Sequence, residues 1–164
     1  MRSEDLKITE LDGAYLVEVS GRANFDYAVP LRELSGKLTE SVKLQIDLSN
    51  CEAMDSTFMG VLTMLALKLR KRGLQVMLIG ASETLLKLLS DLGVAKLFNC
   101  VDQREITGGV KVDTTVAGDM LTTAETVAEA HKALVGADES NADKFKQVIE
   151  FADQDVERLK KAQQ

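Results

Sequence analysis

The stretch from residue 42 to residue 79 constrains the fold of this chain more than any other. In VKLQIDL, Val42, Leu44, Ile46 and Leu48 alternate with other residues, the period-two pattern of a strand. Residues 49–55 follow as a polar loop. Thr57–Arg72 then has helical apolar spacing and ends in Lys68, Arg70, Lys71 and Arg72, cations suited to the negative end of a helix dipole, with Gly73 as C-cap. The next segment, LQVMLI from Leu74 to Ile79, is almost wholly apolar, as expected of a strand buried on both faces. Strand, helix and strand at these lengths imply parallel neighbours joined by a right-handed crossover.

The same alternation extends in both directions. Lys7–Thr9 reads as a short strand, Asp12-Gly13 as a hairpin turn, and residues 14–19 as a second strand ending at Ser20-Gly21. Pro30, the only proline, precedes Leu31, Leu34 and Leu38 and predicts a helix with proline in its first turn, weakened by Gly36. Ser82 is placed to cap a helix over ETLLKLLSDL that Gly93 ends, and Leu97–Val101 reads as a last strand. The order is β-β-α-β-α-β-α-β to about residue 103. Composition changes at Thr107-Gly108-Gly109, which divides a domain at 1–106 from a linker and helical extension at 107–164. In the extension, Thr122-x-x-Glu125 has capping-box spacing and opens a helix to about Val135, where Gly136 breaks it. Ser140 would cap a second helix with Phe145, Val148, Ile149, Ala152, Val156 and Leu159 along one stripe.

Composition narrows the function. Of 164 residues, 45% are hydrophobic and 28% charged, with 4% aromatic and no Trp. The net charge of −6 and the lack of a basic, aromatic-interleaved cluster argue against a nucleic-acid partner. No apolar run reaches the length of a membrane span, and the polar start MRSEDLKITELDG is no secretory signal, so a cytoplasmic protein is expected. Cys51 and Cys100 lack metal-ligand spacing and read as two buried free thiols; no metal or cofactor is expected.

The informative residues are Asp47-Leu48-Ser49, closing the central strand, and Met54-Asp55-Ser56-Thr57-Phe58-Met59-Gly60, opening the next helix. Read alone, Asp55-Ser56-Thr57 is a helix N-cap. A helix N-terminus also has unpaired N–H groups and partial positive charge, so it accommodates a phosphate. The segment resembles the signature of the STAS domain, in which a strand ending Asp-Leu-Ser leads to Met-Asp-Ser-(Ser/Thr)-Gly at a helix start. Gly21 and Pro30-Leu31-Arg32-Glu33-Leu34 extend the resemblance over roughly residues 5–103. It departs at Phe58, where the family usually has Gly, at Met59, usually Leu or Ile, and at Asn24, which follows Gly21-Arg22-Ala23 where Asp is frequent.

The resemblance implies an α/β fold, a mixed sheet of four to five strands with helices mainly on one face, plus the C-terminal helical appendage. It also implies an anti-sigma factor antagonist: a partner anti-sigma factor with serine-kinase activity would phosphorylate Ser56, with Asp55, Thr57, Asn24, Phe58 and Met59 as recognition residues. The alternative within the fold is a STAS scaffold or a soluble subunit of a transport or signalling assembly, without phosphorylation. Catalysis by Ser56 would need a base, and the only histidine, His131, is expected on a solvent-facing helix, so no catalytic residues are assigned. The helix from Thr57 is apolar nearly all round, so one stripe needs a cover besides the sheet. The last helix is expected to supply it, within one chain or across a homodimer.

Overall fold

The computed structural model describes residues 5–38, 42–105, 108–114 and 119–164. Strands β1 (Leu6–Leu11), β2 (Ala14–Ala23), β3 (Leu44–Met54), β4 (Val76–Ile79), β5 (Phe98–Val101) and β6 (Val110–Val112) form one sheet in the order β5-β4-β3-β2-β1-β6. β2, β3, β4 and β5 are parallel neighbours, while β1 pairs antiparallel with both β2 and β6. The β1–β2 hairpin turns on Asp12 and Gly13, both at positive φ. The helices are α1 (Phe25–Ser35), α2 (Ser56–Arg70), α3 (Glu83–Asp91), α4 (Met120–Ala137) and α5 (Asn141–Ala162).

Period-two alternation sends Val17, Val19, Leu44, Ile46, Leu48, Val76 and Leu78 into one large core with Leu31, Phe58, Leu62, Leu65 and Leu89 from the helices. The opposite sheet face carries a small cluster of Leu16 and Ile79. Beside it, Gln45 and Asp47 are buried because the chain after β5 crosses them. The Glu105 amide donates to Gln45 Oε1 at 3.1 Å, and Arg104 donates to Asp47 at 2.6 Å and to Glu18 at 2.7 Å.

Several elements depart from the sequence expectation. The sheet has six strands, because Val110–Val112, expected within the extension, joins the free edge of β1. Thr107 of the expected linker lies outside the described residues. β3 continues through the expected loop to Met54, since β2 runs on to Ala23 and holds it by parallel pairing across two register shifts. α1 begins at Phe25 behind an Asn24 cap, which places Pro30 inside the helix, where it cannot donate to the carbonyl four residues back. The basic end of α2 is more than a solvated helix terminus: Lys68 donates to the Ser35 carbonyl at the end of α1, and Arg72 donates to the Leu38 carbonyl just beyond it.

The extension differs most. Asp119, not Thr122, caps α4, accepting from the Thr122 amide at 2.6 Å. Gly136 remains helical, and α4 runs to Ala137. The Ser140 hydroxyl donates to Asp138 instead of capping α5. The helix lying along α2 is α4, also touching α1, while α5 packs on α4. Phe145 and Ala152 of the α5 stripe are buried, but Val148 is exposed. The turn into α5 is pinned by Asn141, which is buried and donates from Nδ2 to the carbonyls of Leu92 and Leu134, both at 2.9 Å.

Replacing Asn141 by Ala leaves those two buried acceptors without their donor. Asn141→Ala should therefore destabilise the chain by about 1–3 kcal/mol. The midpoint of denaturant unfolding followed by circular dichroism measures this, and an unshifted midpoint would show that the turn is held by apolar packing alone.

Candidate functional site around Ser56

Parallel pairing of β2 and β3 brings Ala23 opposite Met54, so the two helix starts that follow lie side by side at the carboxyl edge of the sheet. The Asp55 amide donates to the Ala23 carbonyl at 2.9 Å, tying the start of α2 to the end of β2. Asn24 caps α1 by accepting from the Asp26 amide at 2.9 Å, and Asp55 caps α2 by accepting from the Phe58 amide at 2.8 Å. Both caps are half-buried. Ser56 is the first residue of α2 and is half-buried as well.

The remaining residues expected at this corner point elsewhere. Phe58 is wholly buried, with its ring edge-on to Tyr27 at 6.5 Å between centroids. Thr57 and Met59 are buried too. Phe58 replaces a small residue to fill the core, so Asn24, Asp55 and Ser56 alone of the expected residues are partly open to a partner.

The structure overturns the expectation for His131, which is 2% exposed and faces Ser56. Its Nδ1 lies 2.7 Å from the Val127 carbonyl, and its Nε2 lies 2.8 Å from Ser56 Oγ. A carbonyl can only accept, so Nδ1 carries the proton in the neutral ring, and the Ser56 hydroxyl donates to Nε2. The Phe145 ring of α5 stacks edge-on against the imidazole at 4.9 Å. A sequence signal existed: His131 continues the apolar spacing of Ala124, Ala128 and Leu134, all buried on α4.

α4 is held over this corner by further contacts. An added Cβ at Gly60 would overlap the Ala130 carbonyl and lie 2.6 Å from Ala130 Cβ, so the absence of a side chain there lets the two backbones touch. Arg32 of α1 pairs with Glu125 at 3.7 Å and with Glu129, both on α4. Asp47, the acid of Asp-Leu-Ser, stands apart on the far sheet face. Burial works to raise its pKa, but bonds from Ser49 and the Arg104 guanidinium outweigh it and hold the carboxyl below its usual range. Cys51 is buried as expected, whereas Cys100 is exposed. Among the described residues, no group of three or more His, Cys, Asp and Glu could hold a metal ion.

Burial lowers the pKa of His131, against the raising effects of the Val127 carbonyl and the Asp55 charge. The folded state therefore favours the neutral ring, and the unfolded chain binds the proton more readily. The resulting stability is present above the unfolded pKa of about 6.5 and is lost as pH falls through the lower folded value. Melting temperature should drop on acidification from neutral pH before ordinary carboxylates titrate, and His131→Gln should flatten that drop. Parallel profiles for the two proteins would show that His131 does not titrate with folding.

Comparison with known proteins places this corner in a family. Residues 7–101 match the family model described as "Mlab, STAS domain". A solved structure from Thermotoga maritima, described as "a putative anti-sigma factor antagonist", is 16% identical over 60% of this chain and 86% of its own, with a TM-score of 0.50. The unphosphorylated anti-sigma factor antagonist SpoIIAA is 13% identical over 61% of this chain and 90% of its own, with a TM-score of 0.49. No curated protein matches. No helix among the described residues is long and apolar enough to cross a membrane. With its family match running from β1 through β5, the chain belongs to the STAS domain family.

Proposed function

We propose that the chain is a cytoplasmic, non-enzymatic switch of the anti-sigma factor antagonist kind, and that a partner anti-sigma factor with serine-kinase activity phosphorylates it on Ser56. The observation that carries this reading is the position of Ser56 at the first turn of α2, behind the Asp55 cap and within Met54-Asp55-Ser56-Thr57. In the reaction, Ser56 Oγ attacks the γ-phosphorus of ATP on the kinase. The bond to ADP breaks, and the hydroxyl proton passes to a base of the kinase. The product carries about −1.5 to −2 charges. The dipole of α2 tolerates that charge, while Asp55 repels it. A docked partner surface would lose affinity through repulsion and desolvation, and a tenfold loss needs only about 1.4 kcal/mol.

A second reading is favoured by His131. Its bond to Ser56 and the packing of α4 suit a STAS scaffold in which Ser56 is never modified. The same pair also invites a serine nucleophile. However, the Nδ1 partner is a backbone carbonyl, which orients the ring without the charge that stabilises an imidazolium in a triad. We therefore favour binding over catalysis.

Intact mass and peptide mapping after incubation with the cognate kinase and ATP should find one phosphate, on Ser56. Ser56→Asp should weaken binding to that kinase by about tenfold or more. Ser56→Ala should bind without regulation. Phosphate on Thr57 with Ser56 unmodified, or no phosphate at all, would point to the scaffold reading. Labelling of Ser56 by a fluorophosphonate would point to the nucleophile instead.

A further inference from the structure

We propose that α4 is a built-in lid on the N-terminal corner of α2: it must lift before a partner reaches Ser56, and a phosphate on Ser56 holds it off. This inference rests on the reading that Ser56 is the modified residue, and it adds a control that lies within the same chain.

Three contacts, all between Glu125 and His131 of α4, define the lid. His131 takes the Ser56 hydroxyl proton in a hydrogen bond of 2.8 Å and is almost wholly buried in doing so. Ala130 sits against Gly60, one turn further along α2, with no room between them even for a methyl group. Glu125 and Glu129 close on Arg32 of the neighbouring helix α1. A kinase must bring the γ-phosphate of ATP within bonding distance of Ser56 Oγ, whose hydroxyl now bonds to the imidazole. Transfer therefore breaks a contact that holds α4 in place.

The converse follows from the same geometry. A phosphoryl group adds a phosphorus and three oxygens to Ser56 Oγ. The 2.8 Å gap to Nε2 cannot hold them, and the Gly60–Ala130 contact leaves no slack for a small adjustment. Lid closure and phosphorylation thus exclude each other, and by linkage each opposes the other to the same extent. The polar hinges of the lid are compatible with release. The Arg32 pairs are partly exposed, where ion pairs are weak, and release must also uncover Ala130 and Leu134, which share the buried core with α2 and the sheet.

Hydrogen exchange on the full chain, read on peptides from α4, the first turn of α2 and β3, tests this directly. It compares the wild type with Ser56→Glu, whose carboxylate is the phosphate stand-in. In the wild type, α4 should exchange at least about tenfold faster than β3, because the lid opens while the sheet stays folded. Ser56→Glu should accelerate α4 at least about tenfold further and leave β3 unchanged. Exchange of α4 and β3 as one unit, or α4 protection that Ser56→Glu does not alter, overturns the lid.

A second variant guards against misfolding of the first. Ala130→Gln pushes α4 away from Gly60 without touching the sheet. Loss of α4 protection with β3 intact supports the lid, and loss of both together overturns it. Kinase assays separate the two levels of the argument. Faster phosphorylation of Ser56 in Ala130→Gln than in the wild type supports the lid, and equal rates overturn the lid while the switch stands. If Ser56→Glu releases α4 but no kinase ever modifies Ser56, the proposed switch falls and the lid remains as a mechanical property of the chain.

Discussion

Everything in this molecule turns on the burial of α2, a helix with too little polar surface to lie on a sheet and face water. Phe58, Leu62, Leu65 and Leu69 reach the sheet, yet Met59, Gly60, Thr63 and Ala66 are buried as well. Covering a large apolar side chain stabilises by about 1.5–3 kcal/mol, so a helix apolar on both sides gains by acquiring a second layer. α4 is that layer, and Gly60 sets how close it comes. With any side chain at Gly60, the two backbones would separate and His131 would lose its reach to Ser56.

The chemistry of the corner follows from that packing. The N-terminus of a buried helix offers partial positive charge and free N–H groups. Asp55 takes one N–H, and the Ser56 hydroxyl faces the imidazole. The Val127 carbonyl fixes the imidazole tautomer, so that its free nitrogen must accept. A neutral ring in a dry setting fits a neutral serine well and a phosphoserine poorly. One helix therefore both completes the core of the STAS domain and decides what its serine can meet.

Much of this could be read before the structure. The parallel strands around α2, the hairpin at Asp12-Gly13, the Ser82 cap and the position of Ser56 at a helix start all follow from local rules: period two, period 3.6, capping chemistry and positive φ. The errors share a cause. Asn24 starts α1 ahead of Pro30, and β3 runs on through the expected loop, because pairing with the extended β2 decides where chain direction changes. β6 could not be seen because three residues of strand are specified by the edge they join rather than by their own pattern. Thr122 yielded its capping role to Asp119 in a similar way, through a choice between two adequate residues.

The sequence by itself determined the α/β layering, the membership of Ser56 in a motif at a helix N-terminus, and the need of α2 for a second cover. Each rests on neighbours within a few residues or on total apolar surface. Only the tertiary structure decided that the cover is α4 rather than α5, that Phe58 turns inward, and that His131, 75 residues away, bonds to Ser56. Those outcomes depend on which of two apolar helices approaches more closely. The close approach of Gly60 to Ala130, the Ser56–His131 bond and the Arg32 pairs with Glu125 and Glu129 all favour α4, and contacts of such long range leave no periodicity in either segment alone.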